Sequence, residues 1–309
     1  MADDERATAA AIAALQSEFG ALGRITFHVS PLGPVVTLDA AGATAVVALQ
    51  GAQVLAWTPR GAREAIWLSP TSRPVAGKAL RGGIPICWPW FGPDPTSLGR
   101  PAHGFVRGEP WTPAYARVTE SDSIVAFRFK TRDEHRAIWP HSAEVSLVVR
   151  LGETLDLDLL TTNTGDCPFA LTGALHTYFA IGDIAATEVG GLDGCTYIDK
   201  LDGEVRRVQA GPVTFAGEVD RIYLDPPGAI DIRDRGNARV IRVTARGSCS
   251  VVVWNPWIEK SARLGDMGTD GFARMVCVET ANAGDDSIGL EPGGTHVLEA
   301  SYAVLAMAP

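Results

Sequence analysis

Between residues 155 and 159 the chain reads Leu-Asp-Leu-Asp-Leu, and from 125 to 130 it reads Val-Ala-Phe-Arg-Phe-Lys. Side chains of an extended strand point alternately to opposite faces. Apolar residues at every second position therefore describe a strand with one face on a core and the other toward water. Further strand-like runs lie at 44–57, 144–150, 169–179, 239–245, 250–254, 274–279 and 297–305. Glycine (33 residues) and proline (20) punctuate the gaps, as at Gly211-Pro212 and Pro226-Pro227-Gly228, and predict turns. Many short strands joined by turns predict an all-β chain built as a large antiparallel sandwich or barrel. The start differs: over residues 3–20, Ile12, Leu15 and Phe19 fall on one helical stripe and Gly20 offers a stop. No linker and no repeat of fixed period breaks the rest. The expected organisation is an N-terminal helical extension over 1–22, packed outside the domain or free, and one β-domain over 23–309.

Charge narrows the function. Lys and Arg total 27 against 36 Asp and Glu, a net charge of −9. An acidic chain lacks the broad basic face that nucleic acid or an anionic membrane requires, so neither partner is expected. No run approaches the roughly 20 apolar residues of a membrane helix, and the acidic start MADDERATAA is unlike a signal peptide. Five cysteines, odd in number and without metal or redox spacing, read as reduced, mostly buried thiols. A cytoplasmic location is expected.

Four segments are dense in chemistry. Arg81-Gly82-Gly83-Ile84-Pro85-Ile86-Cys87-Trp88-Pro89-Trp90-Phe91-Gly92-Pro93 has too much Gly and Pro for a central strand. It reads as a loop presenting aromatic faces, suited to the apolar C–H faces of a sugar, or as a core plug. The stretch from Arg73 to Arg107 holds Arg73, Lys78, Arg81, Arg100 and Arg107 against the single acid Asp94, a local charge of +4. Arginine forks suit a small anion such as phosphate, although ordinary surface ion pairs would also account for them. No Walker-type loop implies a nucleotide. His176, in Thr172-Gly173-Ala174-Leu175-His176-Thr177-Tyr178-Phe179, sits inside a strand-like run as either a proton carrier or a structural residue. The six histidines form no HxH or HExxH pair, so no metal site is expected. Glu279 closes the apolar run of Phe272–Thr280 and is expected at the mouth of a buried strand, as a general base or as a solvent-exposed strand end. With no serine elbow and no cysteine in a catalytic context, the available chemistry is proton transfer by His and carboxylate on a small anionic molecule.

Taken together, LRGGIPICWPWFGP (80–93), PAHGFVRGEPW (101–111), ALHTYFAIGDI (174–184), VDRIYLDP (219–226), VVVWNP (251–256) and ARMVCVETAN (273–282) resemble the aldose 1-epimerase (mutarotase) superfamily, and within it the hexose-6-phosphate branch. The phrases occur in family order and span roughly 25–305. The resemblance implies a large antiparallel β-supersandwich and cofactor-free interconversion of hexose anomers. It makes His176 the acid that protonates the ring oxygen and Glu279 the base on the anomeric hydroxyl, the two exchanging protons through the substrate. It places Arg81 and Arg107 on a 6-phosphate, His103 on the sugar, and Asp220 on sugar hydroxyls, with Trp90 and Trp254 as stacking surface. Ala102 stands where some relatives carry a contacting Gln, leaving only backbone contact there. The implied partner is a hexose phosphate, D-glucose 6-phosphate or a close relative, with the chain acting as a monomer. A mutarotase of free hexoses and a non-catalytic sugar-phosphate binder on the same fold are the alternatives.

Overall fold

The computed structural model describes residues 2–21 and 23–307; Met1, Leu22, Ala308 and Pro309, at the edges of the two expected segments, lie outside the described residues. The strands are joined in antiparallel ladders. A four-stranded sheet takes Ile25–Ser30, Gly33–Asp39, Ala43–Ala48 and Val54–Pro59 in chain order. One eight-stranded sheet runs Thr187–Gly190, Ile230–Asp234, Arg239–Arg246, Thr295–Ala306, Leu155–Asn163, Ala143–Leu151, Ser123–Lys130, Thr112–Val118. The other runs Val205–Val208, Thr196–Asp199, Val219–Leu224, Ser250–Asn255, Met275–Asn282, Gly173–Leu175, Ile86–Cys87, with Tyr178–Ala180 also paired to Met275–Asn282.

The alternation seen in the sequence is what the sheets use. Ala143–Leu151 pairs with Leu155–Asn163, and each buries every second residue: Val145, Leu147 and Val149 on one strand, Leu155, Leu157 and Leu159 on the other. These side chains enter one core with Val251, Val253, Val276 and Val278 from the opposite large sheet and with Val36, Leu38 and Trp57 from the four-stranded sheet. At roughly 25 cal/mol per Å² of apolar surface removed from water, this shared core supplies the main favourable term of folding.

The helix Ala2–Phe19 ends at Gly20, whose N–H bonds the Gln16 carbonyl at 3.0 Å. Ile12 is buried in the core, Phe19 lies 6.4 Å from Phe27, and the Gln16 side chain accepts the Phe27 N–H at 2.7 Å. The helix thus packs on the outside of the strand Ile25–Ser30. None of the described helices is long and apolar enough to cross a membrane. All five cysteines are free, but only Cys87, Cys195 and Cys277 are buried; Cys167 and Cys249 lie on exposed turns.

Two expected strands prove to be more than one. The run 44–57 is a hairpin that turns at Gly51 and Ala52, both at positive φ. The run 169–179 breaks into Phe169–Leu171, Gly173–Leu175 and Tyr178–Ala180. Its composition is strand-like throughout, but the amides of His176 and Tyr178 bond Pro85 and Gly83 carbonyls of the loop alongside, at 3.1 and 3.0 Å.

Candidate active site

The strand Met275–Asn282 is buried along its whole length, and its two faces do different things. Val276 and Val278 enter the main core. Met275, Cys277 and Ala281 belong to a second cluster with Trp67, Tyr178, Val252 and Trp254, and Glu279 shares their phase. The expected place for Glu279, at the strand mouth, is therefore wrong: it sits mid-strand and 1% exposed. The polar residues after it do not end the strand, because the ladder continues through Thr280 and Asn282 to Leu175 and Gly173.

Register explains how His176 reaches it. Gly173, Ala174 and Leu175 pair with Asn282, Ala281 and Thr280; Tyr178, Phe179 and Ala180 pair with Cys277, Val276 and Met275. The two short strands keep one register across the break, so His176 falls opposite Glu279. Directly opposed residues share a face. His176 Nδ1 lies 3.4 Å from Glu279 Oε1. The next row is continuous across the sheet: Tyr178, Cys277, Trp254 and Asp220 stand side by side on four strands. Tyr178 stacks on the imidazole at 4.9 Å and on Trp67 at 5.9 Å, while Trp254 meets the imidazole edge-on at 5.9 Å. These rings fix the orientation of His176.

Burial controls the charges of this pair. Desolvation holds His176 well below the usual imidazole range, helped by the fields of His103, Arg107 and Arg81. Desolvation likewise raises Glu279 well above the carboxylate range, with Asp220 adding and Arg107 opposing. Each is pushed toward its neutral form. His176 Nδ1 and Glu279 Oε2 are buried with no hydrogen-bond partner.

A cavity of about 440 Å³ opens over the pair, lined also by Arg81, Phe91, His103, Arg107, Asp220, Trp254 and Lys260. Arg81 donates from Nε to Asp266 Oδ1 at 2.9 Å and from Nη1 to the Tyr178 hydroxyl at 3.2 Å. Arg107 bonds only the Ala102 carbonyl, at 2.7 Å, and makes no ion pair among the described residues. Both arginines also line an adjoining hollow of about 400 Å³. They form the divide between the two spaces.

His103 stands in the left-handed region (φ 63°), followed by Gly104 (φ 72°), where a Cβ would lie 1.8 Å from the Trp88 carbonyl oxygen. Only glycine lets the loop approach that closely. His103 Nδ1 accepts the Gly92 N–H at 3.3 Å, which leaves the ring proton on Nε2. Burial, with Arg107 and Arg81 nearby, lowers this histidine to about 3, so it is a neutral donor. Across the cavity, burial raises Asp220, opposed by Lys260, whose Nζ lies 3.5 Å from Asp220 Oδ2 and 5.7 Å over the Trp254 ring.

The structure thus brings His176, Glu279, Arg81, His103, Arg107, Asp220 and Trp254 to one cavity. Trp90 does not join them. It is buried beneath the Arg100 guanidinium (4.3 Å), with its indole N–H on the Pro101 carbonyl at 3.0 Å. Its neighbour Phe91 faces the cavity instead, 4.9 Å from His103. The basic island also divides: Arg100 is spent on a nearly buried pair with Asp94, and Arg73 on the carbonyls of Pro70 and Ser72. Sequence reasoning missed Tyr178, Lys200 and Lys260. Tyr178 is two residues beyond His176 on the same strand phase, a usable signal; the lysines come from distant segments with no local mark.

The chain is similar to known proteins over most of its length. The family profile described as aldose 1-epimerase matches residues 34–303. A protein of Escherichia coli (strain K12) that carries the provisional name glucose-6-phosphate 1-epimerase is 40% identical over 252 residues, covering 81% of this chain and 84% of its own. A protein of Cenchrus ciliaris with the same provisional name is 37% identical over 274 residues, covering 85% and 82%. A crystal structure from Salmonella typhimurium, provisionally described as a mutarotase, superposes with a TM-score of 0.86 at 34% identity over 92% of this chain and 94% of that one. On this profile match, these relatives and the shared fold, the chain belongs to the aldose 1-epimerase family.

Proposed function

We propose that this family member interconverts the α and β anomers of a hexose 6-phosphate, with D-glucose 6-phosphate as the expected substrate. The observation that carries the reading is the placement of His176 with Glu279, and of Arg81 with Arg107, on one cavity. The first pair supplies proton transfer. The second suits a phosphomonoester carrying about −1.5 to −2 charges.

In this mechanism Glu279 removes the proton from the C1 hydroxyl while His176 delivers one to the ring oxygen. The C1–O5 bond breaks, the C1–O1 bond becomes a carbonyl, and an open aldehyde forms. Rotation about C1–C2 presents the other carbonyl face. Ring closure reverses both transfers, so the pair ends holding the single proton with which it began. In the empty site burial favours that proton on the carboxyl; for ring opening to begin with a sugar bound over the pair, the same single proton sits on the imidazole. His103 Nε2 donates to a sugar hydroxyl, Asp220 accepts from others, and Trp254 and Phe91 cover apolar C–H faces. Positioning matters because general acid–base groups act only within hydrogen-bond reach.

One observation favours a second reading, mutarotation of free hexoses: Arg81 is already paired with Asp266. Comparing anomer exchange of glucose and glucose 6-phosphate by NMR, in the wild type and in Arg107→Ala, separates the two. Preference for the phosphate, lost in Arg107→Ala, supports the proposal. Equal rates on both sugars in the wild type defeat it.

A further inference from the structure

Cys277 takes no part in the chemistry above. It lies on the same strand face as Glu279, two residues before it, and is fully buried. Linear spacing shows no metal-ligand pattern, but the sheet makes one across strands. The ligand atoms of His176, Cys277 and Glu279 all lie within 4.8 Å of one another. The 3.4 Å separation of His176 Nδ1 and Glu279 Oε1 is also what zinc would need: bonds of about 2.0–2.2 Å to nitrogen and oxygen give a tetrahedral edge of about 3.4 Å. A second observation points the same way. Nδ1 of His176 and Oε2 of Glu279 are buried and unpartnered, so both residues already hold ligand atoms that are stripped of water and have no other use.

We propose that His176 Nδ1, Cys277 Sγ and the Glu279 carboxylate form a three-ligand site for a borderline divalent cation, Zn²⁺, which occupies it in competition with sugar and reversibly inhibits the enzyme. The fourth position of the tetrahedron is left to water from the cavity. Imidazole and thiolate favour Zn²⁺, whereas Mg²⁺ and Ca²⁺ demand more oxygen ligands than this site offers. Binding takes the sulfur as thiolate and the carboxyl as carboxylate, so the thiol proton and any carboxyl proton pass to solvent as the metal–ligand bonds form. The two anionic ligands offset the repulsion that Arg81 and Arg107 exert on an entering cation. Inhibition rests on the proposed roles of His176 and Glu279; metal binding itself does not.

The test uses the full chain, purified with chelator and freed of it. Co²⁺ is added without sugar, and the thiolate-to-cobalt charge-transfer band is followed in the wild type, Cys277→Ala and Cys277→Ser. Zn²⁺ is then titrated against glucose 6-phosphate anomer exchange, with Mg²⁺ as control and EDTA to reverse. The expected result is one Co²⁺ per chain with a thiolate band absent from both variants. Zn²⁺ inhibition should weaken as sugar phosphate is raised, and the variants should need about 100-fold more Zn²⁺ for the same effect. Cys277 is not among the residues lining the sugar cavity, so either variant that folds serves, and melting temperatures identify which do. A missing thiolate band in the wild type, or variants as zinc-sensitive as the wild type, overturns the proposal. If the wild type exchanges no anomers, the functional reading fails while the cobalt band still decides the site.

Discussion

Replacing Glu279 by Gln should remove activity and raise stability, and the second effect should depend on pH. The carboxyl is 1% exposed and its Oε2 has no hydrogen-bond partner, so an amide of the same shape forfeits no existing bond there. Burial raises this carboxyl well above the ordinary glutamate value of 4.5. The sign follows from linkage. Below 4.5 the folded and unfolded chains are both protonated at this position, and it contributes no pH dependence. As pH rises past 4.5 the unfolded chain releases the proton while the folded chain keeps it, so wild-type stability falls by at most about 1.4 kcal/mol per pH unit until the folded carboxyl ionises too. Glu279→Gln escapes that loss. In a chain this long about 1 kcal/mol moves the melting temperature by roughly 2 °C. The variant should match the wild type near pH 4 and melt several degrees higher at pH 7.5, while anomer exchange drops by about 100- to 10,000-fold. Paired thermal melts across that pH range check this. A constant difference in melting temperature from pH 4 to 7.5 would refute the claim that the carboxyl is held neutral by burial, and retained activity would refute its role as base.

Other outcomes follow from the same geometry. His176→Asn should slow exchange by about 100-fold or more. Because burial lowers the folded imidazole, wild-type stability should be lost as pH falls below about 6.5, a loss that the variant lacks in acid melts. Arg107→Ala should raise KM for glucose 6-phosphate at least about 10-fold, as expected when a charge-assisted contact is removed, with little change for glucose. Gly104→Ala should destabilise the chain by more than about 2 kcal/mol, since its Cβ meets the Trp88 carbonyl at a positive φ; denaturant melts measure it.

Much of the fold is legible in the sequence because its largest strands have one wet face. Leu155, Leu157 and Leu159 alternate with Asp156 and Asp158, and the sheet obeys that phase. Met275–Asn282 is different: dry on both faces, it has no alternation to read, so Glu279 passed for a strand end. The break at His176 was equally hidden, since it is made by carbonyls of Gly83 and Pro85 some ninety residues away. Of the eight residues that the motif phrases nominate for the site, seven line one cavity. Trp90 does not line it, because the adjacent aromatics Trp90 and Phe91 point to different sides, and composition alone does not say which faces the cavity. The local charge of +4 was a blunter guide than it looked: Arg100 is cancelled by Asp94, and Lys200 and Lys260, from other segments, stand at the site instead.

The central claim is spatial, and a crystal structure with glucose 6-phosphate bound tests it most directly. The phosphate should lie between Arg81 and Arg107, with the ring oxygen within hydrogen-bond distance of the His176 imidazole and O1 beside the Glu279 carboxylate. A sugar bound with its phosphate away from both arginines, or with C1 out of reach of His176 and Glu279, would contradict it.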